Sequence, residues 1–350
     1  MLRCAILVAT IVAAAPASGA PPSGLGGWIV PWQRAPGMTS LRAAGETVSD
    51  VFLFAARLDD LGRPALDERD HDWPLVAAAA KRSGARVWLT VVNDRVSGSG
   101  GATLKDADIV HALLADPDRS REHRAAIVAL AKELGVDGVD IDYENLPARE
   151  RDPFTAFARE LQADLHDAGL ASSITVQPKT TSTDAKGPGA MDWPALCRIV
   201  DRVQVMLYNE HNASTDPGPV AGVDFVSRVL DYGLGACPAS KLVPVLKVSG
   251  MDWGPVKAAW QTFQEVDTLI RANKPRIRRT WRDAVPWFTY RGADGRHTVY
   301  YEDAKSLAAK AGGIRDRGIS RIVLWSLGAE DPAAISRLSK VVRGSANQNR

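Results

Sequence analysis

The chain has 350 residues, 45% of them hydrophobic, with 43 Lys and Arg against 41 Asp and Glu. That is enough apolar material for one large domain or two small ones, and it is too much for a disordered chain. The near balance of charge, without a long basic tract, excludes nucleic acid and an anionic membrane as implied partners.

The first twenty residues stand apart. Arg3 supplies a positive start, residues 4–15 are apolar, and Ala15-Pro16-Ala17 or Ala17-Ser18-Gly19 offers small residues to a signal peptidase. Residues 1–20 therefore read as a signal peptide, too short to span a membrane comfortably. A periplasmic or secreted protein is expected, with no membrane partner after cleavage. Removing the signal leaves Cys197 and Cys237, and an oxidising compartment invites a disulfide between them. Two buried free thiols are the alternative.

Beyond the signal, strand-like and helical stretches alternate. Strands are predicted at residues 27–31, 51–55, 86–92, 138–143, 173–177, 202–208, 242–248 and 321–327. Most are rich in Val, Ile and Leu without strict alternation, as suits parallel strands covered on both sides. Ile127, Leu130, Ala131 and Leu134 mark the apolar face of one helix. Another opens at Pro153, carries Phe154, Phe157, Ala158 and Leu161 on one face, and stops at Gly169. Further helices are predicted over 190–200, 220–232 and 303–317. Eight βα units predict an α/β fold, a (β/α)8 barrel over residues 21–342, followed by a disordered tail at 343–350. Residues 249–300 are too many for a simple crossover. They predict a small α+β insertion after strand seven, a helix and a hairpin, carrying Trp253, Trp260, Trp281, Trp287 and Tyr290. In such a barrel Cys197 and Cys237 precede strands six and seven on neighbouring units, which favours the bridge.

Residues 137–144 read DGVDIDYE, four carboxylates in eight positions. The β-branched spacers Val139 and Ile141 argue for a short buried strand. Side chains alternate along a strand, so Asp140, Asp142 and Glu144 share a face, roughly 6–7 Å apart. Such a row repels itself and is costly to desolvate unless its members are protonated, paired or working. Barrel active sites lie at the C-terminal ends of the strands, which puts Glu144 at the mouth, Asp142 just below and Asp140 deeper. Asp137 is off parity and takes a structural role at the strand start. Elsewhere the signals are weak. Asp70-His71-Asp72 is a surface turn, and the Gly-Ser-Gly-Gly run at 98–101 lacks the Lys-Ser/Thr of a phosphate loop. No Cys/His spacing suits a metal, and no cofactor is expected. Glu210 and His211, just past strand six, are candidates for the cleft mouth.

The pattern Asp137-x-x-Asp140-x-Asp142-x-Glu144 resembles the signature of glycoside hydrolase family 18, the chitinase-like barrels. Val205-Met206-Leu207-Tyr208 resembles the family's strand-six Met-x-Tyr element, and Val323-Leu324-Trp325 its strand eight. Tyr143-Glu144-Asn145-Leu146-Pro147, Gly218-Pro219-Val220 and the 301–307 sequence YEDAKSL resemble the bacterial branch with spore-cortex-lytic and cell-wall-associated members. The likeness covers residues 26 to 340. One departure stands out: Asn209 follows the strand-six Tyr where the family usually has Asp.

The resemblance implies a glycosidase acting at β-1,4 bonds next to N-acetylglucosamine, in chitin-like or peptidoglycan glycan, with the substrate's acetamido group as nucleophile. Glu144 would be the acid and then the base. Asp142, sharing a proton with Asp140, would orient the acetamido N–H, and Tyr208 would donate to its oxygen. Trp325 would floor the sugar site, with Met206, Asn209, Gln177 and Trp28 also binding substrate and Trp32 and Trp253 as weaker candidates. A monomer is expected. The alternatives are a sugar-binding barrel without catalysis, for which Glu144 is the discriminating residue, and a metal-dependent barrel enzyme. Acids stacked along one strand make poor metal geometry.

Overall fold

The computed structural model describes residues 24–66, 72–97, 101–281 and 284–344. The signal stretch, residues 70 and 71 of the surface turn, the loop at 98–100 and residues 345–350 of the tail lie outside them. Eight parallel strands form the centre: β1 (Gly24–Ile29), β2 (Val48–Leu58), β3 (Arg86–Val96), β4 (Gly138–Asp142), β5 (Ala171–Val176), β6 (Arg202–Met206), β7 (Leu242–Lys247) and β8 (Arg321–Trp325). Each pairs with its neighbour in sequence, and β8 returns to β1 with Val323 opposite Gly26. The sheet is closed, so this is the (β/α)8 barrel that the strand pattern predicts.

Helices cover the outside: α1 (Arg34–Ala44), α2 (Trp73–Arg82), α3 (Ala107–Leu114), α4 (Pro117–Leu134), α5 (Arg151–Asp167), α6 (Trp193–Ile199), α7 (Val223–Ala236), α8 (Phe263–Asn273), α9 (Ala304–Asp316) and α10 (Ala334–Arg343). Their ends are written locally. Asp116 caps α4 by accepting from the Asp118 and Arg119 amides, Pro117 opens its first turn, and Gly135 closes it at φ +62°. Cys197 in α6 and Cys237 just after α7 are joined as a disulfide with their Cα atoms 5.6 Å apart. It ties together two neighbouring βα units.

The segment after β7 is larger than a helix and one hairpin. Five short strands, Gly250–Trp253, Ala258–Gln261, Arg278–Arg279, Pro286–Gly292 and Gly295–Tyr300, make a separate antiparallel sheet beside α8. Val266, Phe288, Val299 and Tyr301 give it a small core of its own. His297 is held between Asp252 at 2.9 Å and Asp294 at 2.7 Å, and the Tyr290 hydroxyl donates to Asp252 at 2.6 Å. Strands of two to four residues carry too little alternation to be seen in sequence. The YEDAKSL phrase returns the chain to the barrel. Asp303 caps α9, and buried Glu302 accepts from Ser306 Oγ at 2.7 Å and Lys310 Nζ at 2.5 Å.

At the N-terminal rim the barrel is plugged by charge. Asp50 of β2 accepts from Arg202 at 2.7 Å, Arg321 at 3.0 Å and the Trp88 indole at 3.0 Å. Burial alone would raise the Asp50 carboxyl, but the Arg202 charge and hydrogen bond, joined by Arg321, hold it below the usual range. Removing it would leave two guanidinium groups facing each other in a closed space. Asp50→Ala should therefore cost about 3–5 kcal/mol of stability, seen as a lowered melting midpoint, with Asp50→Asn costing less. An unchanged midpoint in the alanine variant would show that water enters the rim freely.

Candidate active site

Strand parity sorts the 137–144 segment into two environments. Val139, Ile141 and Tyr143 point outward and are buried against the helices. The Tyr143 hydroxyl meets His123 Nε2 at 2.6 Å among the rings of Phe154 and Phe157. Asp140, Asp142 and Glu144 point inward. Asp140 is completely enclosed, accepting from Thr175 Oγ1 at 2.9 Å and Thr90 Oγ1 at 3.5 Å. Burial pushes its carboxyl up despite these donors. Asp142 is pushed well above the carboxylate range, first by burial and then by the charges of Glu144 and Asp140. Its Oδ1 is buried and has no hydrogen-bond partner among the described residues.

Glu144 lies two residues past the end of β4, and its backbone is clamped. Its N–H donates to Asn93 Oδ1 and its carbonyl accepts from Asn93 Nδ2, both at 2.9 Å. The next residue, Asn145, turns the chain at φ +60°, a left-handed conformation that Asn tolerates better than most residues. On the side chain, Glu144 Oε1 holds the ammonium of Lys105. Across the cleft, Tyr208 is buried, and its phenol is pushed up by burial and then by Asp142, Glu144 and Asp140. It remains a proton donor at any ordinary pH. Asn209 follows at φ +70°. An amide side chain suits that left-handed turn, and it leaves the position uncharged. Trp325 ends β8, with the rings of Phe54, Trp28 and Trp32 edge-on to it at 5.1, 5.5 and 6.4 Å.

Asp142, Glu144, Met206, Tyr208, Asn209 and Trp325 thus line one cleft of about 720 Å³ at the C-terminal mouth of the barrel. Within it stand a carboxyl row, a phenol and a large aromatic floor. The sequence profile of the glycosyl hydrolases family 18 matches residues 99–330. The chain belongs to that family. A cortical fragment-lytic enzyme of Bacillus subtilis (strain 168) is 30% identical over 228 residues, 63% of this chain and 53% of that protein. The match thus spans about half the length of that curated relative. Among solved structures, the chitinase from Chromobacterium violaceum superposes with a TM-score of 0.82 at 25% identity, over 91% of this chain and 99% of that one. The Bacillus cereus spore cortex-lytic enzyme SleL gives 0.82 at 22% identity, over 93% and 76%, and shows the shared fold.

Several expected site residues of this family 18 barrel lie elsewhere. Trp28 is 1% exposed, and its indole donates to Thr90 Oγ1 at 3.0 Å. It packs beneath the Trp325 floor and does not line the cleft. Gln177 accepts from the Asn145 N–H at 3.2 Å and braces the turn behind Glu144, again outside the cleft. The Trp253 indole donates to the carbonyls of Asn212 and Thr215, so it fastens the insertion to the loop after β6. Glu210 accepts from the Gly222 amide at 2.6 Å, at the start of α7. His211 sits against the Asp216 carbonyl at 3.0 Å. Neither lines the cleft. Trp32 does, as a 62% exposed rim residue. Asp137 sits at the start of β4, where its carboxylate accepts from the Val87 N–H at 2.8 Å and lies 3.5 Å from Lys81. Among the described residues no group of three or more His, Cys, Asp or Glu is placed to hold a metal ion.

Sequence reasoning missed Asn93, Lys105, Lys247 and Trp260, all of which line the cleft. Asn93 and Lys247 carried a readable signal, since each is a polar residue near the C-terminal end of an otherwise apolar barrel strand. Lys105 and Trp260 come from a loop and from the insertion, and nothing local marks them.

The raised carboxyls of Asp140 and Asp142 have a cost with a definite sign. A group whose folded pKa exceeds its unfolded value, ~3.9 for Asp, stabilises the fold below that pH and loses the benefit as pH rises through the folded value. Asp142→Asn should therefore raise the melting midpoint at about pH 8, with the gain shrinking as the pH falls toward ~4. A gain equal at every pH would show that Asp142 ionisation is not the source of the strain.

Proposed function

We propose that this chain hydrolyses β-1,4 linkages next to N-acetylglucosamine, in chitin-like or peptidoglycan glycan, with retention of configuration. The observation that carries this reading is the unpartnered Oδ1 of buried Asp142, which shares the cleft with Tyr208 and Glu144 above the Trp325 floor. A buried acceptor without a donor is costly, and the acetamido N–H of a bound sugar would satisfy it.

The chemistry follows from the placement. Glu144 gives its proton to the glycosidic oxygen as the bond to the anomeric carbon breaks. The acetamido oxygen attacks that carbon and closes an oxazolinium ring. Asp142 accepts the N–H and, in its ionised form, balances the positive charge, while the Tyr208 hydroxyl donates to the acetamido oxygen. Water, deprotonated by Glu144, then opens the ring from the face the leaving group vacated, and configuration is retained. Asp140 does not reach the cleft. It acts from below, through its charge on Asp142.

The relatives support both polymer classes, one being a cortical fragment-lytic enzyme and another a chitinase. The signal-like start and the Cys197–Cys237 bridge support export to the periplasm or beyond. Action as a monomer is part of this reading.

Fluorogenic N-acetylglucosamine di- and trisaccharides test the reading directly. Wild type should release fluorophore and form the β-anomer first, as seen by NMR. Glu144→Gln should lose roughly 10²–10⁴ of the rate, the usual worth of a positioned acid. Initial α-anomer would overturn the acetamido-assisted route. Binding of chitin or peptidoglycan fragments without release of product would favour a sugar-binding barrel.

A further inference from the structure

Lys247 is the last residue of β7 and stands half-buried in the cleft wall. Its ammonium lies 3.2 Å from the centre of the Trp260 ring and 5.6 Å from that of Tyr208. No carboxylate or carbonyl oxygen among the described residues accepts from it. The buried lysines among the described residues are satisfied. Lys310 donates to Glu302, and Lys179 donates to the carbonyls of Pro188 and Met191. Half-buried and without an oxygen partner, the ammonium is disfavoured: burial, helped by the charge of Lys105, brings the Lys247 pKa down to about 7. A neutral polysaccharide would offer hydroxyl and acetamido oxygens as acceptors, but no opposite charge to set against the two ammonium groups.

Lys105 enters the same cleft from the loop between β3 and α3. Its backbone is pinned at φ +53°, with its N–H donating to Asp94 Oδ1 at 2.9 Å. The loop is secured at its next residue, where Asp106 caps α3 and accepts from Arg95 at 2.6 Å. So placed, the Lys105 ammonium sits on Glu144 Oε1. In the proposed reaction Glu144 must meet the glycosidic oxygen, and Lys105 must then find another partner.

We propose that Lys105 and Lys247 form a subsite for a carboxylate carried on the glycan beside the scissile bond. The assignment rests on the hydrolase reading of this cleft and narrows its substrate to an acidic N-acetylhexosamine glycan. A carboxylate between the two ammonium groups would relieve their mutual repulsion and give Lys247 the acceptor it lacks. It would also draw Lys105 from Glu144, leaving that side chain for the leaving oxygen. Chitin has no such group. The lactyl ether of N-acetylmuramic acid, when free of peptide, has one.

Binding of N-acetylmuramic acid, its methyl ester and N-acetylglucosamine to the wild-type chain tests this at about pH 6 and low salt, with Lys247 charged. None of the three has a bond to cleave, so calorimetry or NMR titration reads the subsite whether or not the chain is a hydrolase. The acid should bind roughly tenfold or more tightly than its ester, the worth of one charge-assisted hydrogen bond. The preference should weaken with added salt. It should collapse in Lys247→Met, fall in Lys105→Met, and survive in part in Lys247→Arg, which keeps the charge and guards against a folding defect. Equal binding of acid and ester by wild type would overturn the subsite, as would a preference untouched by both methionine variants. Failure of turnover with the preference intact would instead overturn the hydrolase reading alone.

Discussion

Closure of the barrel forces the residues of β4 into two classes, and the rest of the site depends on that division. With Val139, Ile141 and Tyr143 committed to the helix layer, Asp140, Asp142 and Glu144 have only the interior to face. Three acids in one enclosed column cannot all be ionised cheaply. Each is relieved differently. Thr175 and Thr90 serve Asp140, a raised pKa serves Asp142, and Lys105 serves Glu144. Three carboxyl groups therefore meet three distinct environments along one strand, set by depth in the barrel.

The two rims solve the same electrostatic problem in opposite ways. At the N-terminal rim, Asp50 is matched by Arg202 and Arg321 and by the Trp88 indole, with both carboxylate oxygens satisfied. That network serves closure. At the C-terminal rim, among the described residues, Asp142 Oδ1 has no donor, and half-buried Lys247 faces the Trp260 ring without an oxygen acceptor. Unmet groups of opposite character in one cleft are what a ligand with both a donor and an acceptor would complete. The asymmetry agrees with the division of labour in this fold, where the lower rim stabilises and the upper rim reacts.

Much of this was legible in the sequence because both signals are periodic. The alternation of DGVDIDYE gives the face, and the barrel gives the end, so Glu144 and Asp142 could be placed at one mouth from residue order, while Tyr208 and Trp325 joined them only through the family resemblance. Depth was not legible. Trp28 sits on the right strand, yet it lies one layer too low and bonds to Thr90. Gln177 sits at the right rim but turns sideways to Asn145. Strand position fixes a rim and a face, whereas rotamers and loop turns decide which neighbour a side chain meets. Lys105 shows the limit most clearly. Its approach to Glu144 depends on a left-handed turn in a distant loop, which no local pattern records.

Signs of charge alternate within the cleft: Asp142, Glu144, Asp94 and Glu265 against Lys105 and Lys247. Four acids against two lysines leave a lining whose field would not draw an anion in from solvent, and beyond about 8 Å salt would screen it. Recognition of an acidic sugar here would therefore act at contact, after the glycan has entered. Its energy would come from replacing the Lys105–Glu144 pair and from satisfying Lys247, both of which happen only in the bound complex. The selectivity would then lie in the dissociation rate more than in the encounter. The insertion makes this possible, because Trp260 holds Lys247 in the wall while α8 and its sheet anchor Trp260. A barrel without those residues would leave the β7 lysine free in solvent, where its charge would discriminate far less.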